Sequence, residues 1–382
     1  MINKKITILI DVDPMASPTK SGIGYYTEQL VKDLSAIDPP NIRIVGHYFN
    51  PLGKNSPNLY TSSNIKYISS KIFPRQLLNF FRRRNIPFPY ELLTRVKPDF
   101  IIYTNFLSRY TFFKTPYAPI VHDFTYLDYP EHMSEKNQAD LKRLMPGTLG
   151  GASFAITISQ TSKKYLKKHY PRFNRPVIAE LIDLEGSNVS QKSNINLRKL
   201  GINKDYILFI GNIEPRKNLR GALEAYYLLP VKLRNKYSLV VAGGNSWGPD
   251  LDMDFPGIKK EKNIIFLGYV NEEVKAALYT HASLFIFPSF YEGLGMPIIE
   301  SMQYRIPAAI SNIEVHKEVA KDAAIYFDPY NAKDMANKIE YILSNPKLQK
   351  EILNNSKKVL HSLKSHNPAA LIVIQIVKTI SQ

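Results

Sequence analysis

Two successive series of short apolar, β-rich runs alternate with segments of helical spacing along this chain, and that alternation limits the fold more than any other feature. In the first series, Lys5–Asp11, Ile42–Tyr48, Phe100–Tyr103, Pro119–Val121 and Phe154–Ile158 read as strands, with helices over Gly24–Ala36, Ser134–Met145 and Gln160–Lys168. The second series reads as strands at Tyr206–Ile210, Ser238–Ala242, Asn263–Leu267, Leu284–Phe287, Ala308–Ser311 and Ala324–Phe327. Its helices are Asn218–Leu229, Glu272–Thr280, Pro297–Met302 and Glu314–Ala320, with two more closing the chain. Strands that alternate with helices imply parallel pairing, so the pattern predicts two doubly wound α/β domains. A length of 382 residues suits two cores of about 180 residues each. The polar stretch Asp183–Asn203 reads as the joint between them. The predicted organisation is an N-terminal domain over 1–185, a linker over 186–203, a C-terminal domain over 204–365, and a helix over 366–382 that returns to the N-terminal domain. In open parallel sheets, ligands lie beyond the carboxyl ends of the strands, so the expected site is an interdomain cleft.

Composition removes several chemistries. The chain has no cysteine, which excludes disulfides, thiolate nucleophiles and cysteine-ligated zinc. The opening apolar run ends at Asp11 and reads as a strand, not a secretory signal, and no run reaches the roughly 18–20 apolar residues of a membrane span. The expected location is cytoplasmic, either soluble or peripheral at the inner face of the plasma membrane. The net charge of +17 is compatible with nucleic acid, anionic lipid or phosphorylated ligands. Residues 1–185 carry 25 Lys/Arg against 15 Asp/Glu, with acid-free basic patches at Lys71–Arg84 and Lys163–Arg175. Within the first patch, Phe73, Leu77, Phe80 and Phe81 recur at helical spacing opposite Arg75, Arg82 and Arg83. Such a helix suits an anionic membrane surface, or packs its apolar face on the domain core.

Four loops carry candidate chemistry. Ser21-Gly22-Ile23-Gly24 opens the first helix; Gly22 and Gly24 permit close backbone approach to an anion, or simply form a tight turn. His122 and Asp123 follow an apolar strand, where a histidine can bond a substrate hydroxyl or serve a structural role. In Gly211–Asn218, Arg216 and Lys217 sit at the mouth of a βα loop, an arrangement suited to a diphosphate. Glu292-Gly293-Leu294-Gly295-Met296-Pro297 leads into a helix that carries Glu300. Its glycines free backbone N–H groups, and the two carboxylates can accept from sugar or ribose hydroxyls.

Together these segments resemble glycosyltransferase family 4, the retaining glycosyltransferases with the two-domain GT-B fold. FIGNIEPRKNLRGALEAYYLL is similar to that family's diphosphate-binding segment. PSFYEGLGMPIIESMQYRIPAAISNIEVHKEVAKDAAIYFDP is similar to its signature, including the E-x7-E spacing of Glu292 and Glu300. SGIGYYTEQL and VHDFTYLDYPEHMS resemble its weaker N-terminal motifs. The resemblance implies that Gly22 and Gly24 approach the donor diphosphate, that His122 contacts the transferred sugar, and that Arg216 and Lys217 neutralise the leaving diphosphate. It also implies that Glu292 orients the sugar, that the backbone of Gly293, Leu294, Gly295 and Met296 touches sugar and phosphate, that Glu300 holds the ribose, and that the base lies near Gly268 and Val270. Tyr25 and Asn212 stand where many members carry a cation. No metal motif stands out in a donor loop, so neither a metal nor a resident cofactor is expected; the co-substrate is a nucleotide-diphosphate sugar. The segment GNIEPRKN resembles mannosyl- and rhamnosyl-transferring members of bacterial surface polysaccharide synthesis, which favours GDP-mannose, with UDP-sugars and dTDP-rhamnose open. The implied reaction moves a hexose to a glycan or lipid-linked acceptor in O-antigen, lipopolysaccharide or capsule assembly. The competing readings are a glucan synthase or phosphorylase of the same fold and, outside enzymes, a basic nucleic-acid-binding protein.

Overall fold

A computed structural model of the chain describes residues 5–17, 20–37, 41–50, 53, 57–71, 80–81, 84, 94–108, 114–179, 195–244, 255–258, 261–364 and 368–382. It divides into two compact units. The first comprises Met1–Asp128, Glu135–Asp183 and Asn367–Gln382; the second comprises Tyr129–Ser134 and Leu184–His366. Of the amphipathic segment expected at Phe73–Arg84, only Phe80, Phe81 and Arg84 are among the described residues. Phe80 is exposed, with the Arg84 guanidinium over its ring.

The first unit is a parallel sheet in the order β3-β2-β1-β4-β5-β6-β7. Strand β1 (Ile6–Asp11) is interior, between β2 and β4, and its Ile8, Leu9 and Ile10 are fully buried, as a strand covered on both faces requires. Helix α1 (Gly22–Ala36) buries Tyr26, Leu30 and Leu34 at every fourth position, which gives it one apolar face. Then come β2 (Ile42–Phe49), β3 (Ile65–Ser70), β4 (Phe100–Tyr103), β5 (Tyr117–Val121), the single turn α2 (Thr125–Asp128), α3 (Glu135–Gly151), β6 (Ala155–Thr157), α4 (Gln160–His169) and β7 (Val177–Ala179). Two of these correct the sequence reading. Strands β3 and β7 were not expected; both lie at sheet edges, where β3 is only half-buried and β7 has three residues. Helix α3 was expected to end at Met145, before a proline, but continues through Pro146 to Gly151. Proline forfeits one helical hydrogen bond, and the burial of Leu144, Met145, Thr148 and Leu149 holds the helix across it.

The second unit is a parallel sheet in the order β10-β9-β8-β11-β12-β13. Its elements are β8 (Asp205–Ile210), a 3-10 turn (Pro215–Lys217), α5 (Leu219–Leu228), α6 (Val231–Lys236), β9 (Tyr237–Ala242), β10 (Ile264–Gly268), α7 (Glu272–His281), β11 (Leu284–Phe287), α8 (Met296–Gln303), β12 (Ala308–Ser311), α9 (Glu314–Ala320), β13 (Ile325–Phe327), α10 (Ala332–Leu343) and α11 (Pro346–Lys364). Phe209, Leu239 and Val241 from the sheet pack with Leu223, Tyr226, Met335 and Ile339 from α5 and α10. A last helix, α12 (Pro368–Ile380), joins the first unit and packs on α1 and β7. Three helices therefore close the chain where two were expected. The extra break falls at Asn345-Pro346: the Asn345 side chain accepts from Leu348 N–H at 3.1 Å, and proline stands in the first turn, where its missing N–H costs nothing.

Candidate active site

The carboxyl ends of β8, β9 and β10 are edged by glycines that the backbone geometry requires. Gly211 N–H donates to Ala242 O at 3.0 Å, and Gly243 N–H donates to Gly268 O at 2.8 Å. Gly243 has φ +155°, and a Cβ there would lie 1.9 Å from the Gly211 carbonyl oxygen, so only glycine lets the two loops touch. Gly268 is exposed with φ +66°, and Val270 follows it half-buried.

The 3-10 turn at Pro215–Lys217 is tied to the loop after β11. Phe290 N–H donates to Arg216 O at 2.9 Å. Asn218, left-handed at φ 54°, caps α5 by accepting from Gly221 N–H, and its amide donates to Pro288 O and Pro329 O at 3.1 and 2.8 Å. A helix cap thus doubles as the clamp between three loops. Sequence reading had not singled it out, although asparagine before a helix is the signal for a cap.

At the centre of this arrangement stands Glu292, 7% exposed. Lys217 Nζ donates to its Oε1 and Arg216 Nη1 to its Oε2, both at 2.6 Å. Arg216 also donates to Tyr291 O and, through Nη2, to Glu214 Oε2 at 3.2 Å. The Lys217 ammonium lies 4.7 Å from the centre of the Phe287 ring. Burial alone would raise the Glu292 pKa, but the Arg216 and Lys217 charges hold it down at about 2. Burial pulls the Lys217 ammonium below its ordinary value, against the pull of Glu292. The two cations expected to face a diphosphate are therefore already matched by two carboxylates, Glu292 and Glu214. A carboxylate predicted to act on the sugar also organises the cations.

Gly293, Leu294 and Gly295 are buried behind Glu292, and Gly295 begins α8 at φ +87° with Met296 as its first residue. Beneath this turn lies His316, fully buried, a residue that sequence reading missed. Its Nδ1 lies 3.0 Å from Ser311 O; a carbonyl only accepts, so Nδ1 carries the proton and Nε2 presents a lone pair. Among the described residues that Nε2 has no partner, and a Cβ on Gly295 would lie 3.7 Å from it. Burial lowers the His316 pKa to about 4. Glu300, in the second turn of α8, accepts from Lys275 and Tyr279 of α7. The segment Tyr129–Ser134 lies against the same loop: the Tyr129 ring is 5.1 Å from Tyr291, and the His132 ring meets Phe290 edge-on at 5.3 Å.

In the first unit, His122 follows β5 and is 4% exposed. Its Nε2 lies 2.6 Å from Thr104 O and therefore donates, which leaves the lone pair on Nδ1. The rings of Tyr26 and Phe106 flank it, and burial lowers its pKa. The two glycines of α1 differ. A Cβ on Gly24 would lie 2.6 Å from Pro14 O, so packing requires that glycine, whereas Gly22 is exposed with nothing within 4 Å of an added Cβ.

Residues 192–359 match the model of the family described as glycosyl transferases group 1. The chain is 29% identical over 342 residues to O-antigen chain mannosyltransferase B of Escherichia coli, covering 84% of this chain and 86% of that one. It is 25% identical over 227 residues to O-antigen chain mannosyltransferase RfbU of Salmonella typhimurium, covering 59% of this chain and 60% of that one. Its fold is similar to that of sucrose-phosphate synthase from Thermosynechococcus elongatus, with a TM-score of 0.71 at 16% identity over 98% of both chains. Two parallel-sheet Rossmann-like units of this kind make a GT-B-like fold. Residues 192–359 are thus a glycosyl transferases group 1 region, and the chain is a glycosyltransferase that uses a nucleotide-sugar donor.

Proposed function

We propose that this enzyme transfers mannose from GDP-mannose, with retention of configuration, to a glycan or lipid-linked acceptor during assembly of a bacterial surface polysaccharide such as O-antigen. The observation that carries the reading is the Arg216–Lys217–Glu292 cluster at the carboxyl end of its sheet, in a chain whose relatives include the mannosyltransferases named above. In this reading the diphosphate lies against Arg216 and Lys217 and takes over part of their interaction with Glu292. The N–H groups of the Gly293–Met296 turn meet the sugar and phosphate, and Gly22 offers the diphosphate an unobstructed backbone. Preorganised donors of this kind stabilise the charge that develops on the leaving group without reorganising during the reaction. Glu292 then orients the sugar, Glu300 holds the ribose, the base lies near Gly268 and Val270, and His122 accepts from a sugar hydroxyl at Nδ1. The departing phosphate takes the acceptor's proton on the face it leaves, so no protein nucleophile is required. The basic patches of the first unit favour an acceptor at an anionic membrane surface; among the described residues no helix is long and apolar enough to cross a membrane.

The test is donor hydrolysis with the purified chain and a panel of GDP-mannose, UDP-glucose, UDP-galactose, UDP-N-acetylglucosamine and dTDP-rhamnose. GDP-mannose should be turned over fastest. Preferential turnover of a UDP-sugar would replace the mannosyl assignment and leave the glycosyltransferase in place.

A further inference from the structure

Both oxygens of Glu300 are already engaged. Lys275 Nζ donates to Oε1 and Tyr279 Oη donates to Oε2, each at 2.9 Å. The two donors stand four residues apart on α7 and so share one face of it. Each is itself fixed. Tyr279 is fully buried and stacked on Tyr304 at 5.2 Å and 10° between planes, and Lys275 bonds Glu272 at 3.0 Å. The carboxylate therefore cannot turn about its last bond without breaking two hydrogen bonds. A carboxylate has about four lone-pair sites, two on each oxygen, so among the described residues one direction on each oxygen is left without a donor. Two acceptors held side by side match two hydroxyls on adjacent carbons. Both oxygens act as acceptors, one from the Lys275 ammonium and one from the Tyr279 hydroxyl.

We infer that Lys275 and Tyr279 are positioning residues that hold Glu300 as a two-point reader of a cis-diol, so that the donor site selects ribonucleoside over 2′-deoxyribonucleoside diphosphates. The inference rests on the reading of Glu300 as the ribose ligand, and it narrows the donor class: a deoxythymidine sugar offers one hydroxyl where the site is built for two. A site with a fixed polar group rejects the analogue that leaves that group unpaired. A hydrogen bond to a charged acceptor is worth a factor of about ten or more in affinity.

The experiment is calorimetric titration of the full chain with GDP and UDP and with 2′-deoxy-GDP and 2′-deoxy-UDP, repeated on Lys275→Met, Lys275→Arg and Tyr279→Phe. The wild type should bind whichever ribonucleotide it prefers about tenfold or more tighter than the deoxy form. Lys275→Met and Tyr279→Phe should weaken the ribonucleotide and barely change the deoxy form, so the ratio falls toward one. Lys275→Arg should retain the ratio. In steady state the same losses should appear in donor KM with kcat nearly unchanged. If the wild type binds ribo and deoxy forms equally, or if Lys275→Met weakens both alike while melting as the wild type does, the diol reader is overturned and the donor site stands. If the wild type binds none of the four, the donor-site reading fails and the inference falls with it.

Discussion

Glu292 pairs with buried Lys217 and half-buried Arg216, and breaking such a cluster costs about 3–5 kcal/mol when one partner is removed. Glu292→Gln should therefore lower the Tm of the ligand-free chain. It should also make the chain respond to pyrophosphate more strongly than the wild type does, because an added dianion replaces the missing charge on Arg216 and Lys217. Thermal shift with and without pyrophosphate reads this, and equal shifts for both proteins would contradict it. His316 gives a pH signature. Its folded pKa of about 4 lies below the ordinary histidine value of about 6.5. The unfolded chain thus binds the proton first, and the stability tied to neutral His316 is complete above about pH 6.5 and declines toward pH 4. A gap of that size corresponds to about 3 kcal/mol. His316→Phe should flatten this part of a Tm-versus-pH curve, leaving the slope from His122 and His132, whose shifts have the same direction. The decline at lower pH, as Glu292 takes up its proton between its ordinary value and about 2, should remain. Sequence spacing brought out Arg216, Lys217, Glu292 and Glu300 because they flank glycine loops. It could not bring out His316, which lies beneath the Gly295 turn, or Lys275 and Tyr279, which reach Glu300 from a neighbouring helix; all three lie in segments that read as ordinary amphipathic helix.

Helix α1 separates two uses of glycine within three residues. Gly24 is required by its contact with Pro14, so Gly24→Ala should force the β1–α1 loop away from the helix and lower the Tm. Gly22 faces open space, and alanine there should leave stability unchanged or raise it by roughly 0.5–1 kcal/mol. Loss of donor affinity in Gly22→Ala with an undiminished Tm would show that the exposed backbone meets the ligand; full affinity would remove Gly22 from the site. At this scale the strands that alternate with helices were legible wherever the strand was buried on both faces, as at β1, β8 and β11. The misses have physical causes. Half-buried β3 lacks a run of apolar residues, β7 is too short to show a period, and Pro146 gives a stop signal that packing overrides.

The first unit is discontinuous: it draws on residues to either side of Tyr129–Ser134 and is completed by Asn367–Gln382. Helix α12 buries Ala369, Ile372 and Ile376 in it. Burying each isoleucine is worth about 1.5–3 kcal/mol, so removal of residues 367–382 should weaken this unit by several kcal/mol. Hydrogen exchange should then speed up in α1 and β7, with β8–β13 unchanged; uniform protection in both proteins would mean that α12 is dispensable. The same discontinuity sets an order of events during synthesis. The second unit, Tyr129–Ser134 with Leu184–His366, is complete as soon as residue 366 leaves the ribosome. The first unit, although its sheet is translated earlier, must wait for α12 with one face of α1 and the β7 edge uncovered. The half of the chain that is made first is the half that matures last, and that interval is when it most needs protection from other chains.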